Sequence, residues 1–312
     1  MKEVEEQVKP SLWIVLNANA DTHQAYITHT RRDFHQHELV GVAPPVIGNE
    51  AGKALRTLDH NQSRLTYLYE TGFVTLSTEL YRSQTSVVEL VGSKYVDEVF
   101  VQLGEIVSIA ADQSSEWIYS ISIFEDAGFA IARTSLTEKR TEILYTLANS
   151  EIKPLANATW MAEREALLFC CIRAGEYTFV AYQPATKTLQ FIPVKNVHLS
   201  HWTYHQATHS VYGLGVAKDT TNPESYELLH VDLDNNAVVK QLGKLGMKGV
   251  KIMDATLDQV FMRYIMLVKH QDEQYEIHAV SLESMQEIAE VVVPKLYHGP
   301  VYGLEVVHTI KK

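Results

Sequence analysis

The sequence predicts an all-β protein made of one repeated four-stranded antiparallel unit, and three observations predict it. Short runs rich in β-branched and aromatic residues alternate with polar and Gly-containing turns, most clearly WIYSISIF, GFAIARTSL and RTEILYTL between Trp117 and Leu147. A strand opening on an aromatic residue recurs at Tyr26, Phe73, Phe129, Tyr177, Tyr226 and Tyr275, a period of about fifty residues of the kind that marks closed or stacked repeat folds. Near its end each carries Leu80, Leu136, Pro184, Leu233 or Leu282, with Asp33 the exception. Finally, every such strand has a strand-like run before it and another after it, and from the second copy onward a further run leads the group.

Taken in order, LWIVLNA from Leu12 and HELVGV flank the Tyr26 strand. The second copy reads ALRTL from Ala54, LTYLYE from Leu65, the Phe73 strand and SVVELV. The third is IVSIAA from Ile106 followed by the three runs of the Trp117 stretch, and the fourth is LANATWM, LLFCCI, the Tyr177 strand and LQFIPV. The fifth and sixth are LSHWTY, VYGLGV, the Tyr226 strand and AVVKQL, then VKIM, FMRYIMLV, the Tyr275 strand and EIAEVVV. The first copy lacks a leading strand, and GPVYGLEVV near the C-terminal end supplies one. Six four-stranded units closed this way form a six-bladed β-propeller, with a C-terminal inner strand joining the N-terminal blade and the sheet edges hidden by radial repetition. Residues 1–312 are then one domain with residues 1–10 as an N-terminal tail, since no Pro-, Gly- or Ser-rich linker divides them.

The repeats resemble those of WD-repeat and TolB-like propellers over nearly the whole chain, without the Gly-His and Trp-Asp signatures of true WD repeats. The resemblance implies architecture and leaves function open, because sites are grafted on folds independently.

Two segments depart from the repeat. The longer interval between Phe73 and Phe129 holds SKYVDEVFVQLGE, where Val96, Val99, Phe100 and Leu103 have the spacing of an apolar helical face. That spacing predicts a short helix over 93–104, which fills space between blades, acts as a lid or, through Val96, Val99 and Phe100, docks a partner. The second segment gathers Lys240, Lys244, Lys248 and Lys251 around GKLGMKGVK. It lacks the Lys-Ser or Lys-Thr order of a phosphate loop and reads as a solvated turn or a local basic patch.

Composition narrows the partners. Thirty-eight acidic against 27 basic residues give a net charge of −11, which opposes binding to nucleic acid and to anionic membranes. MKEVEEQVKP is too acidic and polar for a secretion signal, and no apolar run approaches the roughly 20 residues of a membrane span. Cys170 and Cys171 are the only cysteines and are adjacent, so the expectation is two inert thiols on opposite faces of a buried strand in a reducing, cytoplasmic setting.

Motifs for chemistry are sparse. GxSxG and HExxH are absent, so no catalytic residue, metal ligand or cofactor is assigned. His198, His201, His205 and His209 are dense in sequence, but strand alternation separates them, and each is expected to be individually satisfied or exposed. Asp59, Asp112, Glu163, His205 and Asp254 are read as turn-stabilising residues where inner strands end. Polar residues at the starts of inner strands, Glu105, Asn157, His201, Lys251 and His298, are the candidates for a channel mouth. A resemblance to six-bladed lactonases, which hold calcium with carboxylates and amides, would involve only Glu105 and Asn157. The expectation is therefore a scaffold that binds a protein or peptide on the face carrying the blade-to-blade connections. The alternatives are a calcium-type hydrolase or lyase at the channel mouth and a small-molecule sensor without catalysis.

Overall fold

The structure, a computed structural model, describes the strands up to Asp112 and most of residues 117–293 and 301–307, with side chains for Trp13 and for most described residues from Ile106 onward. The first strands are β1 (Leu12–Asn19), β2 (Gln24–Thr30), β3 (His37–Leu39), β4 (Arg64–Leu68), β5 (Gly72–Thr78), β6 (Thr85–Val91) and β7 (Lys94–Val101). Next come β8 (Glu105–Asp112), β9 (Trp117–Ile123), β10 (Phe129–Ser135), β11 (Arg140–Leu147), β12 (Ile152–Met161), β13 (Ala166–Arg173), β14 (Glu176–Gln183) and β15 (Thr188–Pro193). The last are β16 (His198–His205), β17 (Ser210–Val216), β18 (Tyr226–Asp232), β19 (Val238–Leu245), β20 (Lys251–Asp258), β21 (Arg263–Lys269), β22 (Tyr275–Ser281), β23 (Glu287–Val293) and β24 (Val301–Val307).

These strands form four-stranded antiparallel sheets in the order β24-β1-β2-β3, β4 to β7, β8 to β11, β12 to β15, β16 to β19 and β20 to β23. The sheets are blades of a β-propeller. β24 pairs with β1 from Leu12↔Val307 to Asn17↔Val301, so the C-terminal strand is the innermost strand of the N-terminal blade, as the repeat arithmetic requires. Blades described down to their side chains number four, β8–β11 through β20–β23, rather than the six the repeat predicts; the other two sheets are described essentially in backbone.

The packing follows from the sequence of each strand. Middle strands are apolar on both faces because both faces are covered by neighbouring blades: β13 (ALLFCCIR) and β14 (EYTFVAYQ) are buried along almost their whole length. The outer strand β11 alternates between exposed and half-buried positions. The apolar cores accordingly lie between blades. Met161, Phe179, Trp202 and Val231 share one core, Tyr119, Phe129, Trp160 and Phe169 a second, and Leu214, Leu228, Tyr264 and Met266 a third. Trp13 of β1 is fully buried among Ile265, Leu267, Ile277 and Leu304, which joins the first blade to the last described one. Aromatic pairs span these interfaces, including Tyr119 stacked on Trp160 at 4.5 Å and Trp202 edge-on to Phe179 at 5.1 Å.

Adjacent inner strands are also tied by glutamine side chains. Gln206, in the turn after β16, donates through Nε2 to the Trp160 carbonyl (2.7 Å) and accepts from the Ala162 amide (3.2 Å). Gln259, in the turn after β20, repeats the arrangement on the Tyr204 carbonyl (3.4 Å) and the Gln206 amide (3.1 Å). Each amide thereby satisfies one carbonyl and one N–H of the preceding blade.

Three sequence expectations are corrected. Residues 94–101 are a strand, β7, rather than a helix. Eight residues suit a strand as well as two helical turns, and KYVDEVFV is rich in Val, Tyr and Phe, which fit a pleated surface. β7 is the outermost strand of its blade, paired Val99↔Val87 and Phe100↔Ser86, with Val96 the extra residue of a bulge between Tyr95 and Asp97. As a result β4 (RLTYL) is the inner strand of that blade and the Phe73 strand, β5, is second rather than third, while ALRTL lies outside the described residues. Asp254 falls inside β20 and not at its end, and the turn-stabilising carboxylate is Asp258, whose Oδ1 accepts from the amides of Val260 (3.2 Å) and Phe261 (3.0 Å).

Candidate functional site

The inner strands share a local device near their starts. The register shifts between Ile106 and Ser108 in β8, Pro154 and Ala158 in β12, Ser200 and Thr203 in β16, and Ile252 and Asp254 in β20. Asn157 and His201 sit in these bulges with left-handed backbones (φ 79° and 48°), and Gly303 takes the matching place in β24 (φ 52°). The channel-mouth candidates Asn157 and His201 are therefore bulge residues. Lys251 is the exposed first residue of β20, Glu105 opens β8, and His298 lies outside the described residues. Next to the bulges are the two inner-strand acids that sequence reasoning passed over or misplaced. Asp254 accepts from the Leu304 amide of β24 through Oδ2 (2.8 Å) and from the Ala255 amide through Oδ1 (2.9 Å). The Glu305 carboxyl, accepting from the Val306 amide at 3.1 Å, is pushed up to about 8, chiefly by burial and further by Asp254.

The dense histidine stretch does not form a centre. His198 packs edge-on against Tyr177, His205 Nδ1 lies 2.7 Å from Thr208 Oγ1, and His209 contacts the Tyr204 hydroxyl (2.9 Å) and Glu163 (3.1 Å). Among the described residues, the side chains that gather as a metal centre could are elsewhere: His270, Glu276 and His278, and His278, Glu287 and Glu290.

Strand alternation builds this second site. Tyr275, Ile277 and Ala279 of β22 face the core around Trp13, so Glu276, His278 and Val280 face the blade before. Val268 pairs with Glu276, and His270, two residues further on and just past the end of β21, sits at the turn. Glu290 of β23 pairs directly with His278. His270 Nε2 and His278 Nε2 lie 2.6 and 3.1 Å from the same oxygen, Glu276 Oε2, while Gln274 Nε2 donates to Glu276 Oε1 at 3.2 Å. His278 Nδ1 contacts Glu287 Oε1. With a carboxylate at each ring nitrogen of His278, the two contacts need two ring hydrogens or one on a carboxyl.

His270, Glu276, His278, Glu287 and Glu290 line a cleft of about 390 Å³ between the last two fully described blades. Met247, Val250, Val280 and Met285 form its apolar walls, and Lys244 lies at its edge. Gly243 lies beside it, and a Cβ there would stand 3.1 Å from Met285 Cε, the flexible end of that side chain. The cleft borders the connection from β19 to β20, an outer-to-inner connection between blades. The site was detectable in YEIHAVS, where an otherwise apolar buried strand carries Glu and His two residues apart on one face.

No family model matches the chain, and no curated protein matches it in sequence. Solved structures do match. TolB from Acinetobacter baumannii is similar over 95% of this chain and 66% of its own, just under two thirds, at 10% identity and a TM-score of 0.65. A chain of a nidogen/laminin complex is similar over 95% of this chain and 98% of its own, at 9% identity and a TM-score of 0.62. The apocarotenoid oxygenase of Synechocystis follows at 10% identity and a TM-score of 0.54, over 94% of this chain and 74% of its own. At these identities the likeness concerns the propeller fold. No described helix is long and apolar enough to cross a membrane.

Proposed function

We propose that the chain is a six-bladed propeller scaffold that binds a protein or peptide partner on the face carrying the outer-to-inner connections, with a partner side chain seated in the cleft between β19 and β21–β23. The blade number is supported by the six four-stranded sheets and by neighbour relations that run from β24 through β4, β8, β12, β16 and β20 back to β24. The observation that carries the binding reading is the cleft itself: about 390 Å³, methionine and valine walls, and a polar floor of imidazoles and carboxylates. A recess of that size between blades suits an anchoring side chain, and flexible Met walls adapt to its shape. The proposal sets the chain in a reducing, cytoplasmic compartment, in keeping with two adjacent buried thiols.

The test is affinity capture with the wild-type chain, with Met247→Arg, which fills the mouth of the cleft, and with the V96S/V99S/F100S triple replacement on β7. The expected result is a partner recovered with the wild-type and β7 variants and lost with Met247→Arg, at matched thermal stability. Loss only with the β7 variant would move the surface to the outer strand of the second blade, and equal recovery with all three would refute both placements.

A further inference from the structure

We propose that His270, Glu276 and His278 are the three protein ligands of a divalent cation of the zinc type, with Glu287 as the outer partner that orients His278. The inference goes beyond the partner-binding reading and stands on these side chains alone.

The donor set is two imidazoles and one carboxylate, the kind that zinc takes when three ligands come from protein and a fourth position stays open. The ligand atoms already converge, all within 4.8 Å of one another. Glu276 Oε2 faces both Nε2 atoms, at 2.6 and 3.1 Å. Zinc–ligand distances of about 2.0–2.2 Å in a tetrahedron set ligand atoms about 3.3–3.6 Å apart. Small side-chain rotations therefore admit the ion. The remaining polar atoms are placed as an outer shell would place them. With the ion bound, an Nδ1–H of His278 donated to Glu287 leaves Nε2 as the ligating nitrogen, and Gln274 Nε2 donates to Glu276 Oε1 so that Oε2 is left for the ion.

Burial gives the second, independent argument. The His278 and Glu276 side chains keep only 10% and 11% of their exposure, at the floor of a cleft that is open above them. An enclosed carboxylate held between two imidazoles is costly to desolvate, and a cation neutralises it. Any hydrogen on a ligating nitrogen leaves for solvent on binding, while His278 keeps its Nδ1 hydrogen, donated to Glu287.

The experiment is titration of zinc into the full chain after chelator treatment, followed by calorimetry, together with the visible absorption of the cobalt(II) form. The expected result is one ion per chain, a rise in Tm on loading and the strong absorption of four-coordinate cobalt. His270→Gln and His278→Gln each abolish stoichiometric binding, while Glu287→Gln retains one ion with affinity weakened about 10–100-fold. His270, with a third of its side chain exposed, gives a variant that folds even where His278→Gln does not. The proposal is overturned if the folded wild-type chain binds no stoichiometric ion or if His270→Gln binds as the wild type does. It is also overturned if Glu290→Gln alone removes the ion, which would assign it to His278, Glu287 and Glu290. Partner capture plays no part in these readouts, so failure of either proposal is seen separately.

Discussion

A carboxyl half-buried at an inner strand keeps its proton to higher pH, and Glu305 is such a group, with a value raised to about 8 chiefly by burial and further by Asp254. Because the folded value exceeds that of the unfolded chain, the folded state holds an extra proton between the two. Its contribution is fully present below the unfolded value, declines as pH rises through the window from the ordinary glutamate range to about 8, and is gone above it. Glu305→Gln keeps the shape without the ionisation. Urea unfolding should show a flatter stability profile across that window for the variant, with a gain over the wild type on the order of a few kcal/mol on its alkaline side. Asp254 acts differently, since its two oxygens accept backbone amides of two inner strands. Asp254→Ala leaves the Leu304 and Ala255 amides without those acceptors and should lower stability by about 1–3 kcal/mol, read by the same melts.

At the scale of elements, the glutamine ties are repeated. Gln206 and Gln259 follow His205 and Asp258 at the ends of inner strands, and Gln113 stands in the same sequence position after Asp112. Gln206→Ala removes two inter-blade hydrogen bonds and should cost about 1–2 kcal/mol in thermal or urea unfolding, with Gln206→Glu, which keeps the acceptor alone, in between. These contacts were not legible as such, because a turn glutamine has no periodic signature. The strands were legible, since covered strands such as LLFCCI read as continuous apolar runs. β7 was misassigned for the converse reason: Val96, Val99 and Phe100 satisfy a helical spacing, and only the pairing with β6 decides between two readings of eight residues. The His270–Glu276–His278 group has no density in sequence because its members come from both sides of a hairpin turn, whereas His198 to His209 are dense in sequence but separate along β16 and the turn that follows it.

At the scale of the whole molecule, the core clusters of the described residues lie between blades, so each described blade relies on its neighbours to cover its apolar faces. Trp13 shows how the ring depends on its closure, being fully buried against strands from the opposite end of the sequence. Trp13→Ala should destabilise the chain by about 3–5 kcal/mol, and the loss should appear in the protection of amide hydrogens of β21 and β22 as well as in β1. The same geometry gives the two cysteines a use. Cys170 belongs to the core shared with Trp202 and Cys171 to the core shared with Tyr119, on opposite faces of β13. Burial pushes their thiols up to about 11 and about 12, so neither reacts while its interface is shut. Two neighbouring residues thus act as separate clocks: in single-cysteine variants, the labelling rate of each thiol times the opening of one seam between blades, and unequal rates would reveal which side of the ring loosens first.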